Sequence, residues 1–102
     1  MSILKHYLSD KGVCRVKFML PHEVANSSNK VYVVGEFNNW DQEKTPMRNG
    51  KNGNHSVTGE LPVGKEYQFR YLIDDTRWEN EKDADKQVPS PYYDSQSSVI
   101  VI

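Results

Sequence analysis

Three histidines, one cysteine and a cluster of carboxylates are the side chains of this 102-residue sequence with the chemistry for acid–base, nucleophilic or metal work. His6, His22 and His55 lie far apart in unlike surroundings. None of the His-x-His, His-Glu-x-x-His or paired-cysteine spacings of a zinc site is present. A phosphate-binding glycine loop and a Gly-x-Ser-x-Gly elbow are also missing. Asp74, Asp75, Glu79, Glu81, Asp83 and Asp85 crowd one stretch but alternate with Arg77, Lys82 and Lys86. That is the pattern of a solvated loop with surface ion pairs, not of two carboxylates held across a scissile bond. Asp83-Ala84-Asp85 lacks the glycine and distal glutamate of an EF-hand loop. The expectation is a chain with no catalysis, no metal and no cofactor.

The two tryptophans are the next candidates. Trp40 closes the stretch GEFNNWD (35–41), where Asn38, Asn39 and Asp41 are turn formers that hold the chain at the surface. Trp78 follows a turn that ends the strand carrying Arg70. Two flat rings and a long donor, if close together, suit a sugar: its C–H faces stack on aromatics while its hydroxyls need hydrogen bonds. The alternative is that each tryptophan lids one end of the fold and Arg70 is an ordinary exposed residue.

The elements that position these residues are short strands cut by turns. VCRVKFML (13–20) alternates, with Cys14, Val16, Phe18 and Leu20 on one face. Cys14 is therefore a small core residue. PHEVANSSN (21–29) reads as a polar connection, and a strand covers about 30–36. TPMR (45–48) is a short edge strand, with Pro46 at its start. NGKNGN (49–54) carries two Asn-Gly pairs, a strong hairpin signal. A strand at about 55–61 ends in the turn Leu61-Pro62-Val63-Gly64. EYQFRYLID (66–74) sets Tyr67, Phe69, Tyr71 and Ile73 against Gln68, Arg70, Leu72 and Asp74. A charged, irregular stretch follows Trp78, with a helical turn near 81–86 the one place a helix fits. SVIVI (98–102) is the last strand. The fold class is all-β, an immunoglobulin-like antiparallel β-sandwich of about seven strands. Residues 1–12 read as an N-terminal extension to a domain at 13–102.

Composition narrows the partners. Net charge is −1 and hydrophobic residues are 36% of the chain, so no basic field attracts nucleic acid. No stretch approaches the ~18 apolar residues of a membrane span, and MSILKHYLSDKG has no apolar signal region. One cysteine forms no internal disulfide and suits a reducing compartment. The expected setting is cytoplasmic. The triplets at 26–28 and 54–56 match a glycosylation sequon by chance on that reading.

VYVVGEFNNWD (31–41), Leu61-Pro62-Val63-Gly64, YQFRYLIDDTRW (67–78) and SSVIVI (97–102), in that order, resemble carbohydrate-binding module family 48. This is the isoamylase N-terminal or glycogen-binding module of starch branching and debranching enzymes and of the β subunit of the AMP-activated protein kinase. The likeness runs from about residue 13 to the end, and the whole chain resembles small bacterial early-set-domain proteins that lack a catalytic domain. It implies a sandwich fold and a site for α-1,4-glucans, namely glycogen, starch or maltooligosaccharides. By the resemblance Trp40 and Trp78 stack on glucose rings, Arg70 supplies a donor, and Ser97 contacts sugar hydroxyls. Tyr93 matches an apolar residue that reaches through the sugar helix. Arg70 replaces the kinase module's lysine and Ser97 its asparagine. Asp74-Asp75-Thr76-Arg77 stands where the hairpin usually reads Asp-Gly, and His55 where an aromatic is common. The rival expectation is a sandwich that has lost sugar binding and serves as a protein-interaction domain for a glucan-metabolising enzyme.

Overall fold

The computed structural model describes residues 3–8, 10–25, 30–50, 53–89 and 96–102. It is an all-β antiparallel sandwich, with nine strands among the described residues. One sheet, in the order β1-β2-β5-β4, joins β1 (Ile3–Leu8), β2 (Val13–Leu20), β5 (His55–Pro62) and β4 (Arg48–Asn49). The other runs β3-β6-β9-β8, with β3 (Val31–Gly35), β6 (Glu66–Ile73), β9 (Gln96–Val101) and β8 (Lys86–Pro89). β7 (Arg77–Glu79) pairs with the end of β6. Three strands, β1, β7 and β8, are not placed individually from the sequence. The stretch read as an extension thus supplies an edge strand, aligned Ile3 to Phe18 through Leu8 to Val13.

Period-two patterning places the core where the sequence suggests. Cys14, Val16, Phe18 and Leu20 of β2 are buried, as are Tyr67, Phe69, Tyr71 and Ile73 of β6. Phe18 and Phe69 meet edge to face at 5.1 Å, and Phe69 meets Tyr71 at 5.8 Å. Aromatic pairs in this geometry add to the hydrophobic gain of burial.

Three elements depart from expectation. His22–Ala25, in the polar connection, form one helical turn. The 81–86 stretch is a turn and then β8, not a helix. The segment at 45–48 divides between the sheets. Val33 N–H donates to Thr45 O and Met47 N–H to Val31 O, and the chain then crosses to pair with β5 at Arg48 and Asn49. Pro46, bridging Tyr32, sits at the edge that its missing N–H requires.

Candidate functional site

GEFNNWD is a knot in which each residue has a distinct part. Gly35 ends β3 opposite Phe69, and a Cβ there would fall 2.5 Å from Gln68 O and 2.7 Å from Phe69 Cβ. Glu36 turns back so that its carboxylate accepts the Gln68 main-chain N–H at 2.6 Å, taking over from the departing strand. Phe37 drops against Phe18 and Phe69. Asn38 is buried. Its Oδ1 accepts the Gly35 N–H, and its Nδ2 donates to Val33 O and Thr45 Oγ1, each near 2.9–3.0 Å. Asn39 and Trp40 then both adopt left-handed backbone, φ 57° and 58°, closed by a hydrogen bond from Trp40 N–H to Gly35 O at 2.8 Å. Asparagine tolerates that conformation; for a bulky residue such as tryptophan it is rare. Trp40 is half-buried and stands outside the core cluster, whose partly buried members among the described residues are Val24, Phe37 and Val57.

Arg70 and Trp78 come together on the outer face of the second sheet. Leu72 opposes Trp78 across the β6–β7 pair, so Arg70 is the diagonal neighbour of the indole on the same face. Its Cζ lies 5.5 Å from the Trp78 ring centroid, a cation–π contact. The hairpin in between has positive φ at both Asp74 (55°) and Asp75 (60°), with Thr76 N–H bonded to Ile73 O. Two successive left-handed residues match the twist of the flanking strands, as in a type I′ turn. The Asp-Asp pair therefore still delivers Trp78 opposite Leu72.

Ser97 shares this outer face, by alternation from Val99, which opposes Gln68. It is 0% exposed, and its Oγ makes no hydrogen bond among the described residues. Arg70, read from sequence as pointing out, does occupy the outer face but is only 8% exposed. Val34, Leu72 and Val99, also on that face, are buried. The sequence reading missed this apolar floor, although VYVV (31–34) carried its signal. A strand with one wet face alternates, whereas an unbroken apolar run marks cover on both sides. Tyr93 lies outside the described residues.

Glu81 corrects the reading of 74–85 as a uniformly solvated loop. It is buried, with Tyr71 O–H donating to Oε1 at 2.6 Å and Asp83 N–H to Oε2 at 2.9 Å. Burial first, then the charge and hydrogen bond of Glu81, push the Tyr71 hydroxyl well above its ordinary pKa. Glu81 N–H donates to Ser98 Oγ, which in turn donates to Asn80 Oδ1. Asn80 Nδ2 reaches Gln96 O. This latch joins the end of β7 to β9 and fixes where the strand bearing Trp78 stops.

A two-sheet antiparallel sandwich with an indole and a guanidinium paired on one outer face has the build of a β-sandwich binding module. A family model described as the glycogen recognition site of AMP-activated protein kinase matches residues 11–90, and the chain belongs to this family of carbohydrate-binding modules. The match includes Trp40, Arg70 and Trp78, while β1 and β9 lie outside it. No curated protein matches the chain.

Proposed function

We propose that this chain is a non-catalytic module that binds α-1,4-glucans by stacking sugar rings on Trp40 and Trp78. The observation that carries the reading is the Arg70–Trp78 pair, a half-buried indole backed by a guanidinium within the stretch matched by the glycogen-recognition family. β3 and β7 flank β6 on opposite sides, and Gly35 (the anchor of Trp40) opposes Phe69 while Trp78 opposes Leu72. At ordinary strand spacing and rise the two anchors are about 10 Å apart across the sheet and about 10 Å along it. That span exceeds one sugar ring and favours an oligosaccharide over a monosaccharide. Arg70 and Ser97 enter as parts of the site's floor.

The expected affinity is modest. At roughly 0.3 kcal/mol per heavy atom, one glucose contributes about −3.5 kcal/mol, and each good stacking contact adds about 0.5–1.5 kcal/mol. A maltooligosaccharide Kd of roughly tens of micromolar to millimolar follows. On glycogen, whose chain ends are many, rebinding raises the apparent affinity. Indoles do not titrate and a guanidinium stays charged, so binding should be flat with pH and nearly insensitive to salt. Intrinsic tryptophan fluorescence titrated with maltoheptaose, with cellohexaose as control, tests the reading. A saturable change with the α-linked sugar alone supports it. A flat trace up to tens of millimolar overturns it.

A second reading, a sandwich that docks on a glucan-metabolising enzyme, draws support from the complete burial of Ser97, which withdraws a hydroxyl otherwise available to sugar. It requires that glucan binding be absent and that a defined enzyme partner co-purify.

A further inference from the structure

A cavity of about 340 Å³ opens between the helical turn at His22–Ala25 and β7, with Leu20, Pro21 and Val24 as its apolar wall. Arg77 and Glu79 line it from β7. They oppose Ile73 and Tyr71, which face the core, whereas Trp78 opposes Leu72 on the outer face. The cavity is therefore separate from the proposed glucan platform.

Its charges do not balance. Arg77 is already committed, with Nη1 donating to Glu79 at 3.4 Å and Nη2 to Val24 O at 2.7 Å. Glu81 also lines the cavity, is 2% exposed, and makes no ion pair among the described residues. Both its carboxylate oxygens accept, one from Tyr71 O–H and the other from Asp83 N–H, which is the pattern of the ionised form. Tyr71, held above its ordinary pKa by burial and then by the charge of Glu81, stays a neutral donor and cancels none of that charge. A buried charge without an opposite charge is costly. The lining residues Glu23 and Lys82 are exposed and offset each other.

We propose that this cavity binds a small primary ammonium ligand, whose head group donates to the Glu81 carboxylate while a short apolar body lies on Leu20, Pro21 and Val24. The volume falls at the small end of ligand pockets, so the ligand is small. A hard metal ion fits poorly, because it takes roughly six to eight oxygen ligands and this wall is apolar. An anion finds the Arg77 guanidinium taken. The proposal does not depend on the glucan reading.

The test follows NMR amide shifts of the isotope-labelled whole chain during titration with pentylammonium chloride, n-pentanol and sodium pentanoate. The three probes have similar chains and differ chiefly in charge. Pentylammonium is expected to shift the amides of Val24, Arg77 and Glu81 saturably, with a Kd of roughly millimolar. Pentanol should bind at least about tenfold more weakly, and pentanoate should leave these amides unmoved. Glu81→Gln should weaken pentylammonium about tenfold, and Glu23→Gln by no more than about twofold. Equal affinity for pentanol and pentylammonium would overturn the proposal in favour of a cavity that reads no charge. Preference for pentanoate would reassign the cavity to anions drawn by Lys82. Pentylammonium shifts that do not saturate by about 100 mM, or an unchanged affinity in Glu81→Gln, would also overturn it. If Glu81→Gln fails to fold, the three probes on the wild-type chain still decide.

Discussion

Trp40 N–H is hydrogen-bonded to Gly35 O at 2.8 Å, and this bond holds a tryptophan in left-handed backbone, φ 58°. Such a conformation costs a non-glycine residue about 1–2 kcal/mol. A core lid gains nothing from that cost, whereas a ring fixed at the surface for a ligand gains a defined position. Trp40→Gly is therefore expected to be about 1 kcal/mol more stable than Trp40→Ala, the reverse of the usual order for a strand or helix. Neither variant should fall more than about 1.5 kcal/mol below wild type, because a buried lid would cost about 3–5 kcal/mol. Both should lose retention on glycogen. Chemical denaturation alongside a glycogen pull-down reads both quantities, and a loss above 3 kcal/mol would return Trp40 to the role of lid.

Gly35 is the opposite case, a position where no side chain fits. A Cβ would meet Gln68 O and Phe69 Cβ below 3 Å, and both belong to β6, the strand that carries Arg70. Gly35→Ala must push β3 away from β6 or distort the Asn38 knot. The expected result is a loss of roughly 2–4 kcal/mol, the range of overpacking and disrupted buried hydrogen bonds. Trp40, whose N–H depends on the Gly35 carbonyl, should lose its register with the rest of the platform. A melting temperature equal to wild type would show that the close approach is absent in solution.

Much of this was legible from residue patterns. The alternation in 13–20 and 66–74 specified β2 and β6, and the Asn-Gly pairs specified the β4–β5 turn. β1 was not legible, because ILKHYL breaks the apolar alternation with Lys5 and His6. It is held by its pairing to β2 and by a bond from Lys5 to Asp85, far along the chain. β8 lay hidden in a charged stretch: KQVP is four residues long, mostly exposed, and carries no apolar alternation. The proximity of Arg70 and Trp78 followed from the hairpin, but the burial of Arg70 and Ser97 did not. Residue type argues for exposure at both positions, and only the assembled sheet shows the face covered.

His55 shows the same limit inside the core. It opens β5 opposite Leu20 and Asn49, is buried, and neither ring nitrogen makes a hydrogen bond among the described residues. A buried polar atom without a partner costs about 1–3 kcal/mol. His55→Phe, which keeps a flat ring and removes both nitrogens, is expected to raise the melting temperature by several degrees and to leave maltoheptaose affinity unchanged. A fall in melting temperature would mean that the imidazole carries hydrogen bonds in solution, or that the site has no room for the larger ring.

Asp85 ties the first strand to the second sheet. Its Oδ2 accepts from Lys5 Nζ at 2.8 Å and from Val101 N–H at 2.7 Å, and Lys5 Nζ also donates to Val101 O at 3.0 Å. Burial acts to raise the Asp85 pKa. The hydrogen bonds from Lys5 and the Val101 N–H, with the charge of Lys5, outweigh it and hold the carboxyl below its ordinary value. A carboxyl lowered in the folded state binds its proton less readily than in the unfolded chain. Its contribution is therefore complete above the unfolded pKa of about 3.9 and is lost as pH falls through the lowered value. Asp85→Asn should melt below wild type at pH 7, and the two curves should converge as pH drops below about 4. The gap should narrow only modestly with salt, since the Val101 N–H bond is not an ion pair. Equal melting temperatures at pH 7 would mean that β1 is held by its pairing to β2 alone.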